Sequence, residues 1–305
     1  MTTWNATELL SGVFPAMTTP FAADGSIDHE QLRADARRLE AAGVDGLVPV
    51  GSTGESATLS HDEHVDVVET VVDAVDVPII AGSGSNNTRE ALELSRRSAD
   101  AGADGLLLIS PYYNKPEPEG MEAHYRAIAD EIDLPQVVYN VPGRTGRSID
   151  PDSTVALAGH DNIVGYKAAS GDLGLVGEVT ERTRDEEFCV LAGDDALTLP
   201  ILSVGGTGVI SVAANVEPER MGDLVWSALD GDYDAARERH WELGPLFRAM
   251  FVETNPSPVK EAMAIRGYGP ADLRLPLNRV SDESREHIEG VLADLAESPV
   301  PEVAD

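Results

Sequence analysis

Apolar runs recur eight times in this chain, at residues 13–19, 46–50, 77–81, 105–109, 136–139, 163–167, 188–191 and 208–211. Each is continuously apolar rather than alternating, the pattern of a strand covered on both faces in a parallel sheet. Helical stretches follow the runs, at 28–42, 60–75, from 88, then 120–131, 150–159, 171–183, 195–204 and 218–229. Several open on capping signals: Asp28 with Gln31, Ser60 with Glu63, and Asp150 before Pro151. Eight strand–helix units of about 25–30 residues predict an α/β fold, a (β/α)8 TIM barrel. An open doubly wound sheet is the alternative and would use fewer units. Three more helices, at 232–251, 257–265 and 281–295, form a C-terminal appendage. The expected division is a barrel carrying the active site over 1–230 and a helical region over 231–305, with a frayed tail at 297–302.

Barrel chemistry sits at the C-terminal ends of strands and in the loops after them. Lys167 ends the sixth run, with no carboxylate among its four nearest neighbours on either side. It is one of only three lysines, with Lys115 and Lys260, in a chain of 22 basic residues. Burial without a counter-ion lowers a lysine pKa and frees the amine to attack a carbonyl. The bland reading is a lysine snorkelling from a strand end. Gly51-Ser-Thr-Gly-Glu55 follows the second run and can curl its N–H groups into an anion nest, or form an ordinary turn. Pro111-Tyr-Tyr-Asn114 offers phenols for proton transfer, or for packing at an interface. Tyr139 falls at the mouth of the fifth run, and Arg144 follows it in a Pro-Gly turn, placed either to grip a carboxylate or to form a surface ion pair. Gly205-Gly-Thr-Gly208 could cradle a phosphate, but it precedes its strand and so reads as tight chain entry.

Other patterns carry less. Gly82-Ser-Gly-Ser-Asn-Asn87 lacks the third glycine of a dinucleotide loop, and His61-Asp-Glu-His64 is not a zinc motif. Nothing in the sequence calls for a metal or an organic cofactor. The lone Cys189 excludes a disulfide framework and reads as a small core residue. No apolar stretch reaches the length of a membrane helix and no basic leader precedes one, so a soluble, cytoplasmic protein is expected. A net charge of −32, from 54 acidic residues against 22 basic, excludes nucleic acid and anionic membranes as natural partners. The acids are spread along the chain, and arginine replaces lysine almost throughout, as on surfaces adapted to a salt-loaded cytoplasm. At multimolar salt the Debye length falls below about 3 Å, where such a charge is tolerable.

Taken in order, Gly51-Ser-Thr-Gly-Glu-Ser-Ala57, Pro111-Tyr-Tyr-Asn114, Tyr139-Asn-Val-Pro-Gly-Arg-Thr-Gly146, Gly165-Tyr-Lys167, Ala192-Gly-Asp-Asp195, Gly208-Val-Ile-Ser211 and Asn255-Pro-Ser-Pro-Val-Lys260 resemble the dihydrodipicolinate synthase family. That family belongs to the pyruvate-dependent class I aldolases. The resemblance runs from about Val13 to Leu295. It implies a lyase that joins pyruvate to L-aspartate 4-semialdehyde in lysine and diaminopimelate biosynthesis. By resemblance, Lys167 forms a Schiff base with pyruvate, Thr53 holds the pyruvate carboxylate, and Ile210 lines that pocket. Ser52, Tyr139 and Tyr113 match a proton relay, Tyr113 reaching in from a neighbouring subunit of a homotetramer, a dimer of dimers. Arg144 matches the clamp on the second substrate's carboxylate. Lysine feedback is implied at Ser56, Ala57, His61, His64, Asn86, Glu90 and Tyr112.

Two departures stand out: Ser52 replaces a frequent threonine but keeps the hydroxyl, and Ala168 follows the lysine where many synthases carry glutamate. The nearest alternative is a sister aldolase acting on a 2-keto-3-deoxy sugar acid, which would need a more hydroxyl-rich second pocket. A silent amino-acid-binding relative would have lost the lysine or the tyrosines, and both are present.

Overall fold

The computed structural model describes residues 5–297, so 298–302 of the expected frayed tail lie outside the described residues. Among the described residues seven strands are formed: β1 (Gly12–Pro15), β2 (Ile80–Gly82), β3 (Gly105–Ile109), β4 (Gln136–Asn140), β5 (Ile163–Ala168), β6 (Cys189–Ala192) and β7 (Gly208–Ser211). All pair in parallel, in the order β1-β7-β6-β5-β4-β3-β2.

The run at 46–50 closes the ring between β1 and β2. It makes only isolated bridges, Ala16 to Val48 and Leu47 to Ile79. Its hydrogen bonds nevertheless reach both neighbours: Met17 N donates to Val48 O and Ile80 N to Leu47 O, at 3.0 and 2.9 Å. The expected second strand is therefore abbreviated, for a local reason. Pro49 has no N–H to give, and Val50 turns out of extended backbone at φ 50°. With that segment in the second position, the architecture is a (β/α)8 barrel with helices outside and further helices at the C-terminus, Tyr233–Ala249, Ser257–Ile265 and Asp282–Glu297.

Side chains alternate across the curled sheet. Leu107, Val137, Tyr139, Leu191 and Ile210 pack with Phe14 and Val48 into an inner cluster that also takes Cys189. Leu106, Leu108, Val138, Tyr166, Val190 and Val209 face outward into the larger core under the helices. Ser60 with Glu63 makes a full capping box, whereas Asp28 accepts from Gln31 N without the reciprocal bond, because the Gln31 side chain turns to Asp35 Oδ1 and Tyr268 O. The expected helix at 195–204 instead splits into a 3-10 turn (Asp195–Leu197) and a short α-helix (Thr198–Ser203). The Asp195 carboxylate is occupied elsewhere, accepting from Val212 N and Ala213 N at 3.1 and 2.9 Å beyond the end of β7. Gly208 opens β7 against β1, where a Cβ would stand 2.3 Å from Gly12 O, so Gly205 to Gly208 serve tight entry at the far end from strand-end chemistry. Among the described residues no helix is long and apolar enough to cross a membrane.

Candidate active site

A cavity of about 150 Å³ opens at the C-terminal mouth of the barrel. Five segments distant in sequence wall it: Gly51, Ser52 and Thr53; Tyr139, Val141 and Arg144; Lys167 and Ala169; Gly193 and Asp194; and Val212. Phe251 and Asn255, from the C-terminal region, complete the rim.

Lys167 projects into this cavity from the end of β5, its Cα paired in register with Tyr139 of β4 and Leu191 of β6. It is 6% exposed. Its Nζ lies 4.3 Å from the centre of the Tyr139 ring, and among the described residues no carboxylate comes within ion-pair distance of it. Burial lowers its pKa to about 7; the Asp195 charge opposes the fall and the Arg144 charge adds to it. Gly193 makes room for the lysine stem: a Cβ there would stand 2.9 Å from Lys167 Cε. The amine is thus buried, with its pKa drawn down to about 7, at a cavity that admits a small molecule.

Burial pushes the Tyr139 phenol the other way, up to about 12, tempered by the Arg144 charge and a hydrogen bond with the Ser52 side chain. The phenol therefore keeps its proton at neutral pH. Ser52 and Thr53 sit in a loop bounded by Val50 and Glu55, both in the left-handed region at φ 50° and 55°. That curl leaves the N–H groups of Ser52 and Thr53 without an acceptor among the described residues, at the cavity wall. Thr53 Oγ1 accepts from Asn255 Nδ2 at 3.0 Å. Arg144 stands on a one-turn helix (Pro142–Thr145) and donates to Asn255 O at 3.0 Å. The site accordingly offers an amine nucleophile, a proton carrier, an anion nest and a guanidinium around one space.

Two sequence candidates lie apart from it. Ile210 is buried in the inner cluster, and the cavity wall at β7 is Val212, two residues further along the same face. Tyr113 is 87% exposed in the loop after β3 and does not line the cavity of its own chain. The candidates for lysine binding lie on a 3-10 turn (Ser56, Ala57), in the first turns of two helices (His61, His64 and Glu90) and in the adjoining loops (Asn86, Tyr112). His61 Nε2 is 2.9 Å from Glu90 Oε1, and Asn86 O accepts from Asn114 Nδ2 beside Tyr112. Ser56 is half-buried, Ala57 exposed, and His64 buried with its pKa lowered by burial to about 4. Asn255 and Gly193 were given no role by the sequence; their motifs, Asn255-Pro-Ser-Pro and Ala192-Gly-Asp-Asp195, were the available signal. Among the described residues no three His, Cys, Asp or Glu side chains gather as a metal site.

The Dihydrodipicolinate synthetase family model matches residues 9–295. This chain belongs to that family. The 4-hydroxy-tetrahydrodipicolinate synthase of Haloarcula marismortui is 71% identical over 285 residues, 93% of each protein. That of Natronomonas pharaonis is 70% identical, covering 94% of this chain and 98% of the relative. The crystal structure of the chloride-inhibited family member from Acinetobacter baumannii, complexed with pyruvate, superposes with a TM-score of 0.92 at 38% identity, over 94% of this chain and 99% of that one. The barrel and its C-terminal helices are therefore the family fold.

Proposed function

We propose that this chain condenses pyruvate with L-aspartate 4-semialdehyde through a Schiff base on Lys167, the reaction of a 4-hydroxy-tetrahydrodipicolinate synthase. The observation that carries the reading is the unpaired Lys167 amine, drawn down to about 7 inside a cavity that also holds Tyr139 and the 51–55 nest. The neutral amine attacks the pyruvate ketone carbon, and the Tyr139 phenol donates a proton as the carbinolamine loses water. Thr53 and the free N–H groups of the nest hold the carboxylate. The imine then gives up a methyl proton to become an enamine, whose carbon attacks the aldehyde. The amine of the second substrate finally closes on the former ketone carbon and expels Lys167. Arg144 is the clamp on that substrate's carboxylate.

Several finer assignments accompany this reading. Tyr113, fully displayed on its loop, enters the relay of a neighbouring subunit in a homotetramer. Lysine binds near the His61–Glu90 pair and Tyr112 and inhibits. The enzyme works in a salt-rich cytoplasm, to which its charge of −32 is adapted. The division near residue 230 is one of secondary structure rather than of independent folding, because Asn255 and Lys260 reach back to Thr53 and Glu55. Val141, Val212 and Phe251 give the second subsite an apolar wall, which suits a short semialdehyde better than a polyhydroxylated sugar acid. The test is product formation from pyruvate with each aldehyde. Condensation with aspartate 4-semialdehyde is expected; activity with glyceraldehyde and none with the semialdehyde would reverse the assignment.

A further inference from the structure

Asn255 joins the C-terminal region to two different walls of the cavity with two different atoms. Its side-chain Nδ2 donates to Thr53 Oγ1 at 3.0 Å, while its main-chain oxygen accepts from Arg144 Nη2 at 3.0 Å. The residue is 5% exposed, lines the cavity, and its Oδ1 is buried without a hydrogen-bond partner among the described residues. An amide that gives its N–H to a hydroxyl oxygen fixes that hydroxyl's polarity, because a hydroxyl has only one proton to donate. With an Oγ1 lone pair engaged by Asn255, and no other acceptor for the Thr53 hydroxyl among the described residues, its proton is left for the cavity.

We infer that Asn255 is a positioning residue: its side-chain amide orients the Thr53 hydroxyl as a donor to the substrate carboxylate, while its backbone separately seats Arg144. The inference rests on the proposed pyruvate reading and deepens it. It assigns the pyruvate subsite a determinant far beyond the nest in sequence, 202 residues after Thr53 and 111 after Arg144. It also predicts an asymmetry. Side-chain substitution breaks the link to Thr53 but leaves the carbonyl that holds Arg144, so the two substrates should feel it differently.

The test is steady-state kinetics of Asn255→Ala and Asn255→Asp, with the pyruvate concentration that half-saturates borohydride trapping as a second readout and thermal melting to confirm folding. Asn255→Ala removes the orienting donor and should raise the pyruvate KM about 3–10-fold. Asn255→Asp inverts the polarity, turns the Thr53 proton away from the cavity and adds a like charge; it should raise the pyruvate KM by roughly 10–100-fold. The KM for the second substrate should stay within about twofold in Asn255→Ala, and kcat at saturating pyruvate should change less than the pyruvate KM. In a Thr53→Val background, Asn255→Ala should add under about twofold, because the effect runs through the hydroxyl. Equal rises in both KM values, full additivity with Thr53→Val, or an Asn255→Asp no worse than Asn255→Ala would overturn the inference. Failure of the wild-type protein to trap pyruvate at all would instead defeat the underlying reading.

Discussion

The cavity and the base of the C-terminal region each bury a lysine, and the two make a controlled pair. Lys167 and Lys260 are 6% and 2% exposed, and each Nζ lies 4.3 Å from the centre of an aromatic ring, Tyr139 in one case and Phe21 in the other. They differ in what else the ammonium would meet. Lys260 Nζ donates to Glu55 Oε1 at 2.5 Å and to Asp272 O at 2.7 Å, and Arg274 N donates to the other Glu55 oxygen. Burial pulls its pKa down and the Glu55 carboxylate opposes the pull; the pair ties the nest to the helix Ser257–Ile265. Lys167 has the Asp195 charge in its favour, without an ion pair to it, and the Arg144 charge against it. Burial alone therefore does not make a nucleophile; burial without a carboxylate in contact does.

The same substitution at the two sites should separate chemistry from structure most widely. Lys167→Met should lower condensation on the order of 10⁴-fold or more, since the covalent step is lost. It should leave the protein as stable or more stable. The native pKa near 7 lies below that of a free lysine, so the unfolded chain binds the extra proton between about pH 7 and 10, and the folded state carries that cost in full below about pH 7. Tyr139→Phe should cost about 10²–10⁴-fold in kcat, the usual range for a general acid, with the fold intact. Lys260→Met leaves Glu55 buried and uncompensated, and a loss of about 3–5 kcal/mol in unfolding free energy is expected. Replacing both, as Glu55→Leu with Lys260→Met, should recover much of that loss, because removing a whole buried pair is far cheaper than breaking it. No recovery in the double variant would mean that the pair does more than balance charge.

The pH dependence sharpens the contrast further. Imine formation should fall about tenfold per pH unit once pH drops well below 7, as Lys167 takes up its proton. A trapping rate flat from pH 5.5 to 8.5 would mean that the amine is not drawn down. Salt should act on neither lysine but on the exposed carboxylates. The melting temperature should rise between dilute buffer and 2 M salt, by on the order of 10 °C, as their repulsion is screened. An unchanged melting temperature would remove salt adaptation from the account.

Much of this was readable in the sequence because it depends on local pattern. Strand–helix alternation points to the barrel, and strand ends point to Lys167, Tyr139 and the nest, which line one cavity. The abbreviated second strand was also legible in retrospect, since Pro49 sits in the run itself. What escaped depends on contacts between distant segments. Asn255 meets Thr53 across 202 residues, and nothing in its neighbourhood announces the hydroxyl it orients. Gly193 matters because Lys167 needs the space a Cβ would take, which only the register of β5 on β6 reveals. Lys260 is one of the three lysines, but its partner Glu55 lies 205 residues away, so local sequence does not show which buried lysine is paired.

The most direct measurement is reduction of the pyruvate complex with borohydride, followed by peptide mapping across all three lysines. The adduct is expected on the peptide carrying Lys167 alone, with Lys260 and Lys115 unmodified. An adduct on either of the others, or no adduct at saturating pyruvate, would contradict the account.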